Sequence, residues 1–175
     1  MKRFLVQGIA FVMFVLALAG CARGNSGQAE VEVSDILAKI REAYGENYLP
    51  DTEVDEAMLG QLFNLDMSLV EAYVAEMPMI SNHPDRVVVI KAKEGKGSEV
   101  EEQLTAARKI LVEDSFQYPA NMPKVQSSQV VRNGDYVAFL LVGAINENLD
   151  ASEEDQLAFA QEETQKAVDA FESFF

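Results

Sequence analysis

The stretch "VQSSQVVRNGDYVAFLLV", residues 125–142, decides the fold that the sequence predicts. Asn133-Gly134 is the strongest two-residue signal for a hairpin turn, and it separates two runs with strand character. A turn at this position would pair Arg132 with Asp135 and Val131 with Tyr136, and both pairs are favourable across strands. We therefore predict an antiparallel hairpin made of "VQSSQVVR" and "DYVAFLLV".

Two elements before the hairpin extend it into a small sheet. "RVVVIKAK", residues 86–93, is rich in β-branched residues and predicts a strand, and a helix follows from Ser98 with Glu101 as its capping-box partner. "YVAFLLV" is apolar on both faces, which is typical of a central strand, and a right-handed crossover places the Arg86 strand on its far side. The predicted order is the Arg86 strand, the Tyr136 strand and the Val125 strand.

Helices account for the rest of the predicted domain. The spacing of apolar residues predicts one helix from Ser34 to Gly45, a second that starts at Thr52–Asp55, and a third short helix from Ser68 to Pro78. A last helix runs from about Ser152 to Phe174. The predicted class is α+β: N-terminal helices followed by a β-α-β-β-α unit, with a small antiparallel or mixed sheet covered by helices, ferredoxin-like in part.

The amino terminus has the three parts of an export signal. Lys2 and Arg3 precede an apolar run from Phe4 to Ala19, and small residues lead up to Cys21, the single cysteine of the chain. The apolar run is shorter than the roughly 20 residues that span a bilayer. We therefore expect this segment to be removed after export.

Two cleavage sites compete at the end of this segment. Ala17-Leu18-Ala19 has the form that ordinary signal peptidase accepts, which would release a soluble protein. Leu18-Ala19-Gly20-Cys21 instead resembles the lipobox of bacterial lipoproteins. That resemblance implies that Leu18, Ala19 and Gly20 are read by lipoprotein signal peptidase and that Cys21 carries a diacylglycerol, a covalent lipid that anchors the chain in the membrane.

The predicted organisation is a signal peptide at 1–20, a lipidated cysteine and flexible tether at 21–33, and a single domain at 34–175. The whole chain has a formal charge of −15, and removal of Lys2 and Arg3 makes the exported part −17. This charge argues against nucleic acid as a partner. With one cysteine, the domain cannot form an intramolecular disulfide.

Candidate catalytic and ligand motifs are weak. "DTEVDE", residues 51–56, starts like a calcium loop but lacks the glycine and the final glutamate that such a loop needs. "EGKGSE", residues 94–99, departs from a phosphate-binding loop, and His83 is the sole histidine, so zinc lacks ligands. We predict no catalytic residue, no metal site and no cofactor other than the lipid.

One loop is distinctive enough to be a contact site. "SFQYPANMPK", residues 115–124, combines aromatic residues, a methionine and two prolines, and the hairpin lies near it in the predicted fold. These side chains either cover the core or form a surface contact for a protein or small ligand. The candidate contact residues are Phe116, Tyr118, Met122, Arg132 and Tyr136.

The succession "AYGENYLPD", "VAEMPMI", "VIKAKEGKG" and "EDSFQYPANMPKVQSSQVVRNGDYVAFLLVG", with a helical tail ending in "SFF", resembles a bacterial lipoprotein family. That family is known only as a domain of unknown function (DUF family 4358) and is typical of Gram-positive bacteria. The resemblance implies a lipid-anchored protein on the outer face of the cell membrane and assigns no catalytic residue.

These observations lead to one expectation and one alternative. We expect a lipid-anchored extracytoplasmic lipoprotein that acts as a non-enzymatic binding or accessory module of the cell envelope, with an envelope protein as partner. The alternative is an envelope hydrolase with a carboxylate-based active site.

Overall fold

The computed structural model describes residues 30–80, 83–148 and 150–175, and a compact unit runs from Val31 to Phe175. The leader, the lipobox and Cys21 lie outside the described residues. The described helices are α1 (Val33–Tyr44), α2 (Glu56–Phe63), α3 (Gly97–Glu113), α4 (Met122–Ser127) and α5 (Glu153–Glu172). The described strands are β1 (Thr52–Glu53), β2 (Val70–Met77), β3 (Arg86–Ala92), β4 (Gln129–Asn133) and β5 (Tyr136–Leu141).

The strands form one antiparallel sheet in the order β1-β2-β3-β5-β4. β3 and β5 lie at its centre, and most of their residues are buried on both faces because helices cover both sides. Successive residues of a strand point to opposite faces. Val88 and Ile90 of β3 therefore enter one core, whereas Val87 and Val89 enter the other.

Each face of the sheet is covered by its own helices. α2 and α3 pack on the face that carries Val88, together with Val125 of α4. α1 and α5 pack on the face that carries Val87, and they also contact each other. The result is a helical layer, a sheet and a second helical layer. Among the described residues, no helix is both long enough and apolar enough to cross a membrane.

The α+β class is confirmed, but the predicted sheet differs in detail. The sheet has five strands rather than three, because β1 and β2 extend it beyond β3. β5 does lie between β3 and β4, so the three predicted strands form only part of the observed order. Helices on both faces also distinguish this arrangement from the ferredoxin-like unit that we expected.

The predicted third helix, from Ser68 to Pro78, is wrong. Residues 67–69 form one 3₁₀ turn, and Val70–Met77 form strand β2, which pairs along β3 from Val70↔Ala92 to Glu76↔Val87. The apolar residues of this segment fit a helical stripe as well as a strand. Pairing with the apolar edge of β3 selects the strand, because an uncovered edge would leave its backbone groups without partners.

The hairpin is present, but its register is shifted from the prediction. Gly134 and Asp135 form the turn, and Asn133 pairs with Tyr136, so Arg132 lies opposite Val137. Gly134 has φ 58°, which suits the first central position of a type II′ turn, where glycine is preferred. Residues 125–127, predicted as part of the first strand, belong to helix α4.

Helix α3 also starts differently from the prediction. Its N-cap is Lys96, with no side-chain cap, and Ser98 and Glu101 lie inside the helix rather than forming a capping box. Ile110 has the spacing of an apolar stripe with Val100 and Leu104, but it is exposed. The second helix is predicted to start at Thr52 with Asp55 as its capping-box partner, but Thr52 lies in β1 and Asp55 is itself the N-cap of α2, its carboxylate accepting the N–H of Met58 at 2.8 Å.

Candidate functional site: a polar groove along the sheet edge

An open groove of about 590 Å³ runs beside β4, between α3 on one face of the sheet and α5 on the other. This volume is in the range of small-ligand sites. Its lining contains no carboxylate, although the chain as a whole carries a formal charge of −15. The lining residues are Thr105, Arg108, Gln126, Ser127, Ser128, Gln129, Val130, Gln161 and Gln165.

The backbone of β4 contributes to this groove. β4 pairs with β5 on one side, and among the described residues no strand pairs with its other side. Alternate residues of an antiparallel strand bond to the same neighbour, and the pair that closes a two-residue turn is a bonded pair. Because Asn133 and Tyr136 close the turn, the N–H and C=O groups of Val130 and Arg132 point away from β5, toward the open edge.

Helix α4 forms one end of the groove and is held there by side chains from both layers. Arg108 of α3 donates from Nη2 to the carbonyl of Gln126 at 2.9 Å and from Nε to the carbonyl of Ser128 at 2.5 Å. Ser127 shares a buried hydrogen bond with Thr164 of α5, with 2.8 Å between the hydroxyl oxygens. The two Arg108 bonds satisfy carbonyls at the end of α4, and the Ser127–Thr164 bond joins α4 to α5.

A buried ion pair joins α4 to the residue that precedes β3. Lys124 contacts Oδ1 of Asp85, and both side chains are almost completely buried. Lys124 Nζ also donates to the carbonyl of Gly143. The Lys124 ammonium therefore faces the Asp85 carboxylate directly in a region from which solvent is excluded. Burial raises the pKa of the Asp85 carboxyl, and the charge of Lys124 opposes this shift only in part.

His83 lies next to this pair. Its Nδ1 is 3.5 Å from Oδ1 of Asp85 and accepts the Asp85 backbone N–H at 3.4 Å. Burial lowers the pKa of the His83 imidazole, while the nearby Asp85 carboxylate raises it. Burial is the larger effect and the charge of Lys124 adds to it, so the pKa of His83 is lowered and a neutral imidazole can accept this N–H. Chemically, Asp85 is committed to Lys124, so it is not available as a free acid or base.

Glu163 of α5 lies beside Gly143, whose carbonyl binds Lys124, and so borders the same buried region. Its Oε2 accepts the N–H of Ala144 at 3.0 Å, and its carbonyl accepts the hydroxyl of Tyr44 at 2.6 Å. Burial and the nearby Glu163 charge raise the pKa of the Tyr44 hydroxyl. Gly143 fits tightly here, because a Cβ at this position would lie 2.7 Å from Cβ of Glu163. The region therefore holds α1, α4 and α5 together.

The structure separates the five predicted contact residues into four places. Phe116 is 90% exposed and Tyr118 is exposed beside it, with their rings in an edge-to-face contact after the end of α3. Met122 starts α4 and is partly buried. Arg132 instead binds Glu101 near the start of α3 at 2.6 Å.

Tyr136 lies on the opposite face of the sheet from α3. Its hydroxyl donates to the carbonyl of Val31 at 2.8 Å, and its ring packs on Phe175. Arg132 and Tyr136 therefore do not share a surface with the loop around Phe116. Of the five predicted contact residues, Phe116 and Tyr118 are the two that are exposed and in contact with each other.

The weak motifs have structural roles. In "EGKGSE", the carboxylate of Asp135 accepts the N–H groups of Gly95 at 2.9 Å and Gly97 at 3.0 Å, so these amides are occupied. In "DTEVDE", Thr52 and Glu53 form β1 and Asp55 caps α2. Among the described residues, no three His, Cys, Asp or Glu side chains group to hold a metal ion.

Residues 43–142 match the family model described as "Domain of unknown function (DUF4358)". The chain belongs to this family. No curated protein and no solved structure matches the chain. The DUF4358 match runs from the end of α1 through β5, so it includes Arg108, Gln126, Asp85 and Lys124. Helix α5, which carries Gln161, Gln165 and Glu163, follows the matched DUF4358 region.

Sequence reasoning missed most residues of the groove and of the buried pair. Arg108 appears in the sequence as one more charged residue of an amphipathic helix, and charged side chains are usually exposed. Lys124 and Asp85 are far apart in sequence, and their pairing depends on the packing of α4 against the start of β3. The glutamines at 161 and 165 are separated by one helical turn, which was the available signal for a shared polar face.

Proposed function

We propose that this protein is a lipid-anchored extracytoplasmic binding module of the cell envelope, and that its groove beside β4 receives the partner. The observation that carries the proposal is the polar groove beside β4, whose lining has no carboxylate, together with the edge of β4 at Val130, along which no strand pairs among the described residues. The backbone groups of such an edge are satisfied by a partner that supplies complementary donors and acceptors.

The anchor rests on the amino-terminal sequence. Lys2 and Arg3, the apolar run and Leu18-Ala19-Gly20-Cys21 together support export and lipidation of Cys21. The compact unit begins at Val31, so residues 22–30 separate the lipid site from the domain. Two acyl chains on one cysteine hold a protein stably at a bilayer, because each buried methylene contributes about 0.8 kcal/mol.

The anchor is tested by the intact mass of the mature protein. The whole precursor is produced in a lipoprotein-processing bacterium beside a Cys21→Ala variant. We expect a chain that begins at Cys21 and carries a diacylglycerol, and the variant should lose that modification. An unmodified chain that begins at Gly20 would reject the anchor and favour secretion.

The groove is tested separately in cells that produce the full protein. A photo-reactive amino acid replaces Gln161, which lines the groove, or Glu162, which is exposed on the same helix outside the lining. We expect a discrete cross-linked product from position 161 and none from position 162. Gln129→Glu should weaken that product, because it adds a negative charge to a lining that has none.

A binding role and a hydrolase role differ in what the groove must contain. A glycoside hydrolase needs two carboxyl groups on either side of the bond that it cleaves. The groove lining contains none, and the Asp85 carboxyl, whose pKa is raised, is paired with Lys124. Binding is therefore the function that the groove's chemistry supports best, and an envelope hydrolase is the second candidate.

A further inference from the structure

Three methionines surround a small pocket on the opposite side of the domain from β4. The pocket has a volume of about 230 Å³, and Met58, Met77 and Met79 line it beside β1. It contains no histidine and no cysteine. This thioether pocket, as we call it, lies at the other edge of the sheet, where β1 pairs with the end of β2.

The exposure of these methionines is unusual for an apolar side chain. Met79 is 79% exposed and Met58 is 40% exposed, whereas Met77 is partly buried against the core. Methionine normally fills gaps in cores, where its flexible thioether packs well. Met79 and Met58 do not serve this purpose, so packing alone does not explain why they flank the same pocket.

The backbone around the thioether pocket is held in place. Met77 lies opposite Thr52 in the β1–β2 ladder, and the N–H of Met79 donates to Oδ1 of Asp51 at 3.4 Å. The ring of Pro78 fixes its own φ, which limits the conformations of the link between Met77 and Met79. Met58 is in the first turn of α2, where its own N–H is bound by Asp55 at 2.8 Å.

We propose that the thioether pocket binds a soft monovalent cation of the Cu(I) class through the sulfur atoms of Met58, Met77 and Met79. Thioethers are soft ligands that select Cu(I) over harder cations such as Mg²⁺ and Ca²⁺. They are neutral and do not titrate, so a bound cation displaces no proton. Glu53 lines the pocket, and the chain's negative charge raises the local concentration of cations.

The test uses Ag(I) as the probe, since it has the same charge and filled d shell as Cu(I) and is stable in air. The full chain in detergent carries Cys21→Ala, because a free thiol also binds soft cations. Isothermal titration should give one saturable Ag(I) site. The methyl NMR signals of Met58, Met77 and Met79 should shift, while those of Met67 and Met122 should stay in place.

Variants distinguish this site from other ligands. Met58→Leu/Met77→Leu/Met79→Leu should weaken Ag(I) binding at least about tenfold, a loss of about 1.4 kcal/mol in binding free energy. Met67→Leu/Met122→Leu is the matched control and should leave the affinity unchanged. Leucine conserves the volume of methionine, so urea unfolding of each variant should show that the fold is retained.

The pH dependence gives an independent readout. Binding to thioethers should be the same at pH 5 and pH 8, whereas a site that uses His83 should weaken as the imidazole is protonated. The proposal is overturned by any of three results: no saturable Ag(I) binding, binding that survives the triple substitution, or binding that His83→Gln abolishes. None of these results depends on the lipid anchor or on the groove beside β4.

Discussion

Asp135, in the turn between β4 and β5, binds the backbone of Gly97 at the start of α3, with 3.0 Å between its Oδ1 and the glycine nitrogen. The second carboxylate oxygen accepts the N–H of Gly95 at 2.9 Å. The hairpin turn thus supplies the cap that α3 lacks in its own sequence. A carboxylate at a helix N-terminus also interacts favourably with the helix dipole.

The first prediction concerns this cap. Asp135→Ala should lower the free energy of unfolding by about 0.5–2 kcal/mol, the usual cost of losing an N-terminal cap. Asp135→Asn should cost less, because the amide keeps one acceptor oxygen. Urea unfolding followed by circular dichroism measures both changes. Equal stability of Asp135→Ala and the unsubstituted chain would show that water replaces the carboxylate without loss.

The second prediction compares two glycines in helices. A Cβ on Gly97 would lie 2.3 Å from the carbonyl oxygen of Gly134, so Gly97→Ala should force α3 and the hairpin apart and destabilise the fold. Gly60, inside α2, has no atom within 4 Å of that position. Gly60→Ala should therefore stabilise by about 0.5–1 kcal/mol through helix propensity. Thermal unfolding of the two variants should shift in opposite directions.

The third prediction concerns the buried pair beneath α4. Lys124→Met leaves the Asp85 carboxyl buried without its partner, and breaking such a pair costs about 3–5 kcal/mol. Lys124→Met/Asp85→Leu should recover much of that loss, because no uncompensated charge remains. Denaturant midpoints of the two variants give the comparison. If the double variant is no more stable than Lys124→Met, packing rather than charge dominates at this position.

The fourth prediction uses His83, the single histidine of the chain, whose ring proton gives one NMR titration curve. Burial lowers its pKa, so the midpoint should lie below 6.5, the ordinary value. This group's contribution to stability is fully present above pH 6.5 and is lost as the pH falls through the folded-state pKa. The charge of Lys124 also lowers the His83 pKa, so Lys124→Met should move the midpoint upward.

The raised pKa of Asp85 makes stability depend on pH in the opposite direction from that of His83. Its contribution is largest at low pH, where the carboxyl is neutral, and is lost as the pH rises through the folded-state pKa. His83→Gln removes the histidine effect from a plot of stability against pH, so the difference between the two curves measures that effect. A His83 midpoint at or above 6.5 would contradict the burial that the structure shows around the ring.

Four of the helices and the hairpin could be predicted from local patterns. α1, α2, α3 and α5 have apolar residues at helical spacing, and the glycine turn between β4 and β5 has a short-range signal. β2 could not be distinguished from a helix, since Val70, Tyr73, Val74 and Met77 have helical spacing in a strand. Only its pairing with β3 resolves the ambiguity, and that contact is not local.

The candidate site was less predictable than the fold. The groove combines Arg108, Gln126 and Gln161 from three helices, and no motif connects their positions in sequence. The "EGKGSE" turn shows the same limit, because its amides look free until the hairpin places Asp135 against them. The hairpin register is likewise not visible in the local sequence, because Asp135 lies in the turn and binds the start of α3 instead of pairing with Arg132.

The contact between α1 and α5 joins the first and last helices of the folded unit. Together they cover Val87, Val89 and Leu140, so this half of the core stays open until the C-terminal helix is available. A chain that is synthesised, or exported as we propose, emerges amino terminus first. Completion of the fold therefore waits until α5 has emerged and can pack on α1 and the sheet.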